Sequence, residues 1–559
     1  VSEREYHDVV IIGAGINGIY QLYRLLEAGC DVVTLEAASG VGGTWFWNRY
    51  PGARLDSECY AYTYHFAREL IDGWDWTEHF ADQPTLERYF NYVVDRLELR
   101  PHIRFNARVV SCEWQEQECE WHVTTDDGRA YRARFLVAAA GLLSAPYVPA
   151  DLDVESFSGT VVHSTDWPAG GLDVTGKRVG VMGVGSTGIQ IVQTVAPEVQ
   201  SLVVFQRTAN WATPLNNAAI DAEENRDLKV RSDEIYETTM SSRGCFLYTP
   251  QDRSTWDVTP EEREALYEDL YASPGMSLYQ GGFNDVLIDQ AANDEVVAFL
   301  TRKIRERVRD PEIARKLTPT HPYATRRPPL ETNYFEVYNR ENVDLVHLPE
   351  EPITRVTATG VDTTERHYPL DIIVLATGFD AITGSFLRLG LRGVDGVPLG
   401  DWWSAGPRSY LGIFVHGFPN LFILAGPQGV NGNLPRCTEF AVDWITQCIR
   451  SAQARGVDRI EARPEAEEFW VAQVNDLVAQ TLLRNAASWA WGSNVPGKAR
   501  AFTLYIGPQP EFRQRLREVA DRDYEGLVLS KAGRPIGGSA LSASTRSGAG
   551  SGTISPSEP

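Results

Sequence analysis

Twice along this 559-residue chain an apolar run stops at a glycine and restarts as a helix, and both times the glycines keep the spacing G-x-G-x-x-G. In the first copy Asp8-Val9-Val10-Ile11-Ile12 reads as a buried strand and Gly13-Ala14-Gly15-Ile16-Asn17-Gly18 as the turn, after which Ile19, Leu22, Leu25 and Leu26 recur at helical spacing up to Gly29. Asp31-Val32-Val33-Thr34-Leu35-Glu36 then supplies a second strand, and a βαβ unit commits the chain to a parallel sheet. The second copy runs from Arg178-Val179-Gly180-Val181-Met182 through Gly183-Val184-Gly185-Ser186-Thr187-Gly188 and a helix from about Gln190 to Leu202-Val203-Val204-Phe205. The expected fold class is α/β, with two Rossmann-like dinucleotide-binding domains and, further on, a helical insertion.

The two copies differ where a ribose would lie. Backbone N–H groups of each glycine turn and the following helix N-terminus can approach a pyrophosphate. Glu36 closes the second strand of the first unit, about 20 residues beyond the glycines, where a carboxylate accepts from a ribose hydroxyl and repels a 2′-phosphate. The first site therefore suits FAD or NAD. In the second unit the strand runs into Gln206-Arg207-Thr208, with no acid at that place, and Arg207 favours NADPH. An arginine at a strand end can also be an ordinary solvated cation, but two such loops in one chain are hard to obtain by accident. FAD first and NADPH second describe a flavoprotein that NADPH reduces.

Composition narrows the partners. Asp and Glu outnumber Lys and Arg by 75 to 52, giving a formal charge of −23. That balance repels phosphate backbones and anionic lipid and argues against nucleic acid or membrane. No run approaches the ~18 apolar residues of a membrane span, and Val1-Ser2-Glu3-Arg4-Glu5-Tyr6 lacks a signal-peptide core, so a cytoplasmic location is expected. Monomer and dimer both stay open. The seven cysteines are odd in number and include no C-x-x-C pair, which argues against a disulfide framework, a zinc site and a redox dithiol. No metal is expected.

The length exceeds what one core can fill. Phe135–Gly141 and Asp371–Gly378 look like strands running into glycine turns and mark crossings between domains. The expected organisation is a first FAD-binding part over 1–152, a first NADP-binding part over 153–219 and a helical insertion over 220–332. A second NADP-binding part follows over 333–378, and a second FAD-binding part, with substrate loop and lid, over 379–531. The insertion carries the apolar stripe Val296, Val297, Phe299, Leu300, Ile304 and Val308 and reads as a packed structural cap. The last residues, 532–559, are rich in Ser, Gly, Thr and Pro and are expected to be a disordered tail.

Between the glycine loops stands Phe157-Ser158-Gly159-Thr160-Val161-Val162-His163-Ser164-Thr165-Asp166-Trp167-Pro168. It matches F-x-G-x-x-x-H-x-x-x-W-[P/D] at every fixed position, and here the chain resembles the type I Baeyer–Villiger monooxygenases. Gly42-Gly43-Thr44-Trp45, Arg49–Arg54 with Asp56, Asp371–Gly378 and Asn494-Val495-Pro496-Gly497-Lys498 resemble family segments, so the likeness spans nearly everything but the tail. Ala139-Ala140-Gly141 departs from the more usual Thr or Ser before that glycine, and Arg326 stands where many relatives have Lys, which keeps a cation near the NADPH phosphate.

The resemblance implies NADPH- and O2-dependent conversion of a small-molecule ketone to an ester or lactone, by way of a flavin C4a-peroxide that attacks as a nucleophile. Such a site must hold negative charge without releasing a proton, which a guanidinium does and a histidine does not. Thr325-Arg326-Arg327 matches a family Thr-Lys-Arg segment, which implies Arg327 beside the reacting oxygen and Arg326 with Arg207 on the 2′-phosphate. Asp56 should pair with Arg327. Cofactor contacts are further implied for Thr44, Trp45, Tyr62, Val109, Ser186, Thr187, Thr208 and Trp489, the last as a lid over the nucleotide or else a plain core tryptophan. The fingerprint positions Phe157, Gly159, His163 and Trp167 are implied at the interdomain linker, with His163 hydrogen-bonding to couple the domains, or acting directly as acid or base. Gln428, Val430 and Asn433, in the loop Gly426–Pro435, are candidates for shaping the substrate pocket. The competing functions are a heteroatom-oxidising flavin monooxygenase, using a protonated electrophile, and a non-oxygenating FAD/NADPH redox or interaction protein.

Overall fold

The computed structural model describes residues 4–429 and 431–542. Both expected βαβ units are present, each in its own sheet. In the first sheet Glu5–Ile12 pairs in parallel with Val32–Leu35 on one side and Ala130–Ala138 on the other. Val9, Val10 and Ile11 are fully buried, as a strand covered on both faces must be. Beyond Ala130–Ala138 the sheet turns antiparallel through Glu120–Thr125 and Val109–Gln115. Leu421–Ile423 returns from the C-terminal half to pair with Ala130–Ala138, so this domain is built from two distant stretches.

The helix Ile16–Glu27 is held against the sheet by the long helix Leu434–Arg455. Their buried contact is polar as well as apolar: Gln21 Nε2 donates to Thr446 Oγ1 at 2.9 Å and Thr438 Oγ1 to Asn17 Oδ1 at 2.6 Å. A buried amide needs such partners, and they fix the register of one helix on the other. Gly456, at φ 66, ends the long helix in a left-handed turn that a side chain would strain.

The second sheet is wholly parallel, in the order Val343–His347, Ser201–Gln206, Arg178–Met182, Ile372–Leu375, Thr160–His163. A small antiparallel sheet, Ile353–Thr357, Gly360–Thr363 and His367–Pro369, packs on its side through Val356, Val361 and Tyr368.

Two expectations need correction. The insertion is not one cap. Ser232–Ser241 packs against Cys59–Tyr62 and the long helix of the first domain, whereas Gln290–Arg307 buries Val296, Phe299, Leu300 and Ile304 in the core of the second. The insertion therefore straddles both domains. The first residues of the expected tail are also ordered. Arg534–Gly537 turns back at Gly533 and pairs antiparallel with Leu527–Lys531, which itself pairs with Arg459–Ala462, and Leu541 is buried. Backbone hydrogen bonds hold this hairpin, so its poverty in apolar side chains misleads; residues 543–559 lie outside the described residues. Among the described residues no helix is long and apolar enough to cross a membrane.

Candidate functional site

The C-terminal ends of both sheets open onto one cavity of about 1860 Å³. A single small-molecule pocket is roughly 300–1,000 Å³, so this space accommodates more than one ligand. The two glycine loops meet it in the same way. A Cβ on Gly18 would lie 1.9 Å from Gly13 O, and one on Gly188 would lie 2.0 Å from Gly183 O, so each third glycine lets the helix sit directly on its turn. At Gly185 a Cβ would meet nothing within 4 Å and would project into the open cradle where a pyrophosphate approaches the helix N-terminus. Gly13, Gly15, Gly183 and Gly185 line the cavity; Gly18 and Gly188 stand behind it.

Around the first loop Glu36 is 4% exposed, and its oxygens accept from Ala14 N at 2.6 Å and Ala38 N at 2.7 Å. Burial pushes its carboxyl up, and those N–H groups oppose the shift. Thr44, Trp45, Tyr62 and Val109 line the cavity beside it, with Trp45 Nε1 donating to Tyr62 Oη at 3.1 Å. Burial pushes the Tyr62 phenol up to about 12. Asn433 Nδ2 donates to Ala61 O at 3.0 Å, leaving Oδ1 buried with no partner among the described residues. An orphaned acceptor in a cavity wall fits an N–H donor on the edge of a bound ring.

Around the second loop Ser186, Thr187, Arg207, Thr208 and Arg326 face the same cavity. Arg207 is exposed, and neither it nor Arg326 forms an ion pair among the described residues. Burial and the Arg207 charge both hold the Arg326 guanidinium below its ordinary value. Two converging cations without an acid fit a dianionic phosphate. Arg326 also donates to Ala487 O at 3.0 and 2.7 Å, two residues before the cavity-lining Trp489. Nearby, Asn494 Nδ2 donates to Phe379 O at 2.7 Å and Lys498 pairs with Asp380, so the segment Asn494–Lys498 meets the two residues that follow Asp371–Gly378.

The sites are adjacent. A Cβ on Gly52 would lie 2.6 Å from Gln190 O, and Tyr50 Oη, which sequence reasoning did not single out, donates to Gln190 Oε1 at 2.8 Å and meets Thr187 Oγ1 at 3.3 Å. Its only signal in the sequence was its place inside Arg49–Arg54. At this junction Arg327 and Asp56 form the expected pair: Nε and Nη2 lie 2.9 and 2.8 Å from the same Asp56 oxygen.

The fixed positions Phe157, Gly159, His163 and Trp167 of the fingerprint stand outside the cavity lining. Phe157 packs on one face of the second sheet with Phe205 and Val346, and Trp167 on the other with Val181 and Ile189. His163, 6% exposed, contacts Thr165 Oγ1 at 2.8 Å, and Thr165 in turn lines the cavity. Burial lowers its pKa. A Cβ on Gly159 would lie 2.5 Å from both Asp371 O and the Phe157 ring. Gly159→Ala is therefore expected to destabilise the fold by about 1–3 kcal/mol through overpacking, read as a lowered melting temperature with FAD content followed in parallel.

Of the two pocket-shaping candidates among the described residues, Asn433 faces the cavity. Gln428 does not: it is 1% exposed at φ 56, and its amide donates to Pro407 O at 2.6 Å while accepting from Ser409 Oγ at 3.1 Å. The left-handed backbone turns it inward to tie two loops together. Val430 lies outside the described residues.

Two nucleotide cradles of opposite ribose chemistry sharing one cavity define a flavin- and nicotinamide-dependent oxidoreductase. Residues 6–219 match the family described as FMO-like, flavin-binding monooxygenase-like. The chain is 41% identical to the 2-oxo-Δ3-4,5,5-trimethylcyclopentenylacetyl-CoA monooxygenase of Pseudomonas putida, over 94% of this chain and 98% of that protein. It is 38% identical to a Baeyer–Villiger monooxygenase of Pseudooceanicola batsensis, over 95% and 97%. The crystal structure of OTEMO with FAD and NADP superposes with a TM-score of 0.91 at 42% identity, covering 94% of this chain and all of that one. The chain belongs to the Baeyer–Villiger monooxygenase family.

Proposed function

We infer that this chain uses FAD, NADPH and O2 to convert ketones to esters or lactones, and that Arg327 carries the charge the reaction develops. The observation that carries the reading is the Asp56–Arg327 pair, set in one cavity between an acid-bearing and a cation-bearing nucleotide cradle. Bound FAD, with NADPH, would supply the hydride acceptance and oxygen activation by which one oxygen atom enters beside the carbonyl.

The residues do the rest. Gly15 and Gly185 leave room for the pyrophosphates, Glu36 accepts from the flavin-side ribose, and Arg207 with Arg326 holds the 2′-phosphate. As the ketone carbon becomes tetrahedral its oxygen gains negative charge. Arg327 stabilises that charge by donating hydrogen bonds, and a guanidinium does not give up its proton at working pH. Asp56 fixes the guanidinium from the side. Trp489 closes the nucleotide end against water, the condition under which such hydrogen bonds are strongest.

Product analysis across linear, cyclic, polycyclic and aromatic ketones, with NADPH uptake recorded, tests the reading; oxygenation of amines or sulfides with no ester from any ketone would replace it with the electrophilic alternative. Asp56→Ala is expected to lower product formed per NADPH about 10-fold or more, because an unanchored guanidinium drifts from its working place. Product and H2O2 counted against NADPH consumed measure this, and wild-type coupling would remove Asp56 from the machinery.

A further inference from the structure

Behind the wall that carries Asp56 and Arg327 lies a carboxyl that the chemistry above does not use. Glu58 is 5% exposed; one oxygen accepts from the Tyr248 hydroxyl and the other, Oε2, has no partner among the described residues. Tyr248 comes from the helical insertion, and its hydroxyl accepts the Met276 N–H at 3.1 Å. The Met276 sulfur lies 3.7 Å from Nη2 of Arg327, and Arg327 returns to Asp56, two residues before Glu58. The contacts close into a ring that joins the flavin-side loop to the insertion.

This ring is tightly packed. Met276, 1% exposed, shares a small apolar cluster with Phe80, Phe246 and Leu330. A Cβ on Gly275 would lie 2.2 Å from the Tyr248 hydroxyl, and the Phe246 ring centre is 5.8 Å from the Arg327 guanidinium. Burial, opposed by the Tyr248 hydrogen bond and reinforced by the Asp56 charge, pushes the Glu58 carboxyl above its usual range. For stability alone an apolar residue would serve better, since an unpaired buried acid is penalised however it titrates. What distinguishes the position is what it holds: an acceptor fixing a hydroxyl that fixes the backbone beneath Arg327.

We propose that Glu58 and Tyr248 are positioning residues for the oxygenation step, setting through Met276 where the Arg327 guanidinium lies, and so how much NADPH consumption ends in ester or lactone instead of H2O2. The proposal rests on the role given to Arg327 above. Without the Tyr248 hydroxyl the Met276 N–H loses its buried acceptor and the segment 274–276 must shift, carrying the sulfur away from Nη2. Displacements on the order of 1 Å are enough to change oxygenation strongly while leaving binding intact.

The test uses the FAD-loaded full chain and the fastest ketone of the panel. Tyr248→Phe and Glu58→Ala are each expected to keep flavin reduction within about threefold while lowering product per NADPH at least ~5-fold, with H2O2 making up the difference. Glu58→Gln, which keeps an acceptor for Tyr248, should restore coupling to within about twofold, and the double variant Glu58→Ala/Tyr248→Phe should be no worse than either single one. Wild-type coupling in Tyr248→Phe, glutamine as uncoupled as alanine, or multiplied losses in the double variant would each overturn the relay. If Glu58→Ala does not load FAD, Tyr248→Phe and Glu58→Gln decide. Arg327→Ala is run beside them: should it still form ester, the reading of Arg327 itself is lost, whereas an inactive Arg327→Ala with a fully coupled Tyr248→Phe sinks only the relay.

Discussion

Arg327→Ala is expected to bind both nucleotides and to be bleached by NADPH, yet to form ester or lactone at least ~10²-fold more slowly than the unmodified chain. Removing one preorganised donor from a developing oxyanion commonly lowers turnover by about 10²–10³, and here the lost group also carries a full positive charge. Asp56, freed of its partner, leaves a carboxylate in the same corner, which repels the anion that Arg327 had held. Arg327→Lys should recover little, because the two contacts at 2.9 and 2.8 Å come from different nitrogens of a planar fork that an ammonium does not reproduce. Single-turnover mixing of the reduced variant with oxygenated buffer and ketone separates the steps: unimpaired bleaching with lost product supports the assignment, and normal product yield rejects it.

The reach of sequence reasoning can be traced through this same corner. Gly13, Gly15 and Glu36 were legible because a βαβ unit is local: strand, turn, helix and acid follow within one stretch, and neighbouring backbone bonds place them. Arg207 was legible as the second unit's counterpart for the same reason. Asp56 and Arg327 are 271 residues apart in sequence, and no periodicity or spacing brings them together. Only likeness to a family implied their pairing. Glu58 went unread because an acid in a polar loop is assigned to solvent by default, and its burial is decided by Tyr248 and Met276 arriving from the insertion.

The misreadings have equally particular causes. Gln428 sits in the right loop, but a left-handed backbone at φ 56 aims it at Pro407 and Ser409. Side-chain direction in a glycine-rich loop depends on dihedral angles that composition does not encode. The insertion was read from one amphipathic stripe, Val296 to Val308, and that stripe does face the second core. Its earlier helix, Ser232–Ser241, carries little apolar surface and is held instead by neighbours from the first domain. In Arg534–Gly537 the ladder to Leu527–Lys531 supplies what the side chains lack. The fingerprint, by contrast, was recognised as a string before its physics was visible: Phe157 and Trp167 clamp opposite faces of the second sheet, and Gly159 is small because Asp371 and Phe157 leave no room.

Arg207→Ala should raise KM for NADPH by about 10- to 100-fold, the range of one charge-assisted contact to phosphate, and leave KM for NADH within about twofold. The asymmetry follows from the geometry. Arg207 is exposed at the end of its strand and makes no ion pair among the described residues, so its removal disturbs nothing but the anion it meets. Arg326→Ala should behave differently, because its guanidinium also holds Ala487 O at 3.0 and 2.7 Å, beside Trp489. Losing that anchor weakens closure over either nucleotide, so NADPH and NADH should both suffer, with product per nucleotide falling as well. Salt offers a second control. Screening lengths fall from roughly 10 Å at 0.1 M to 3 Å at 1 M, so the preference for NADPH should shrink with ionic strength in the unmodified chain and hardly at all in Arg207→Ala. Steady-state kinetics with both nucleotides across a salt series reads all of this, and an NADPH-to-NADH ratio untouched by Arg207→Ala would mean that the 2′-phosphate lies elsewhere.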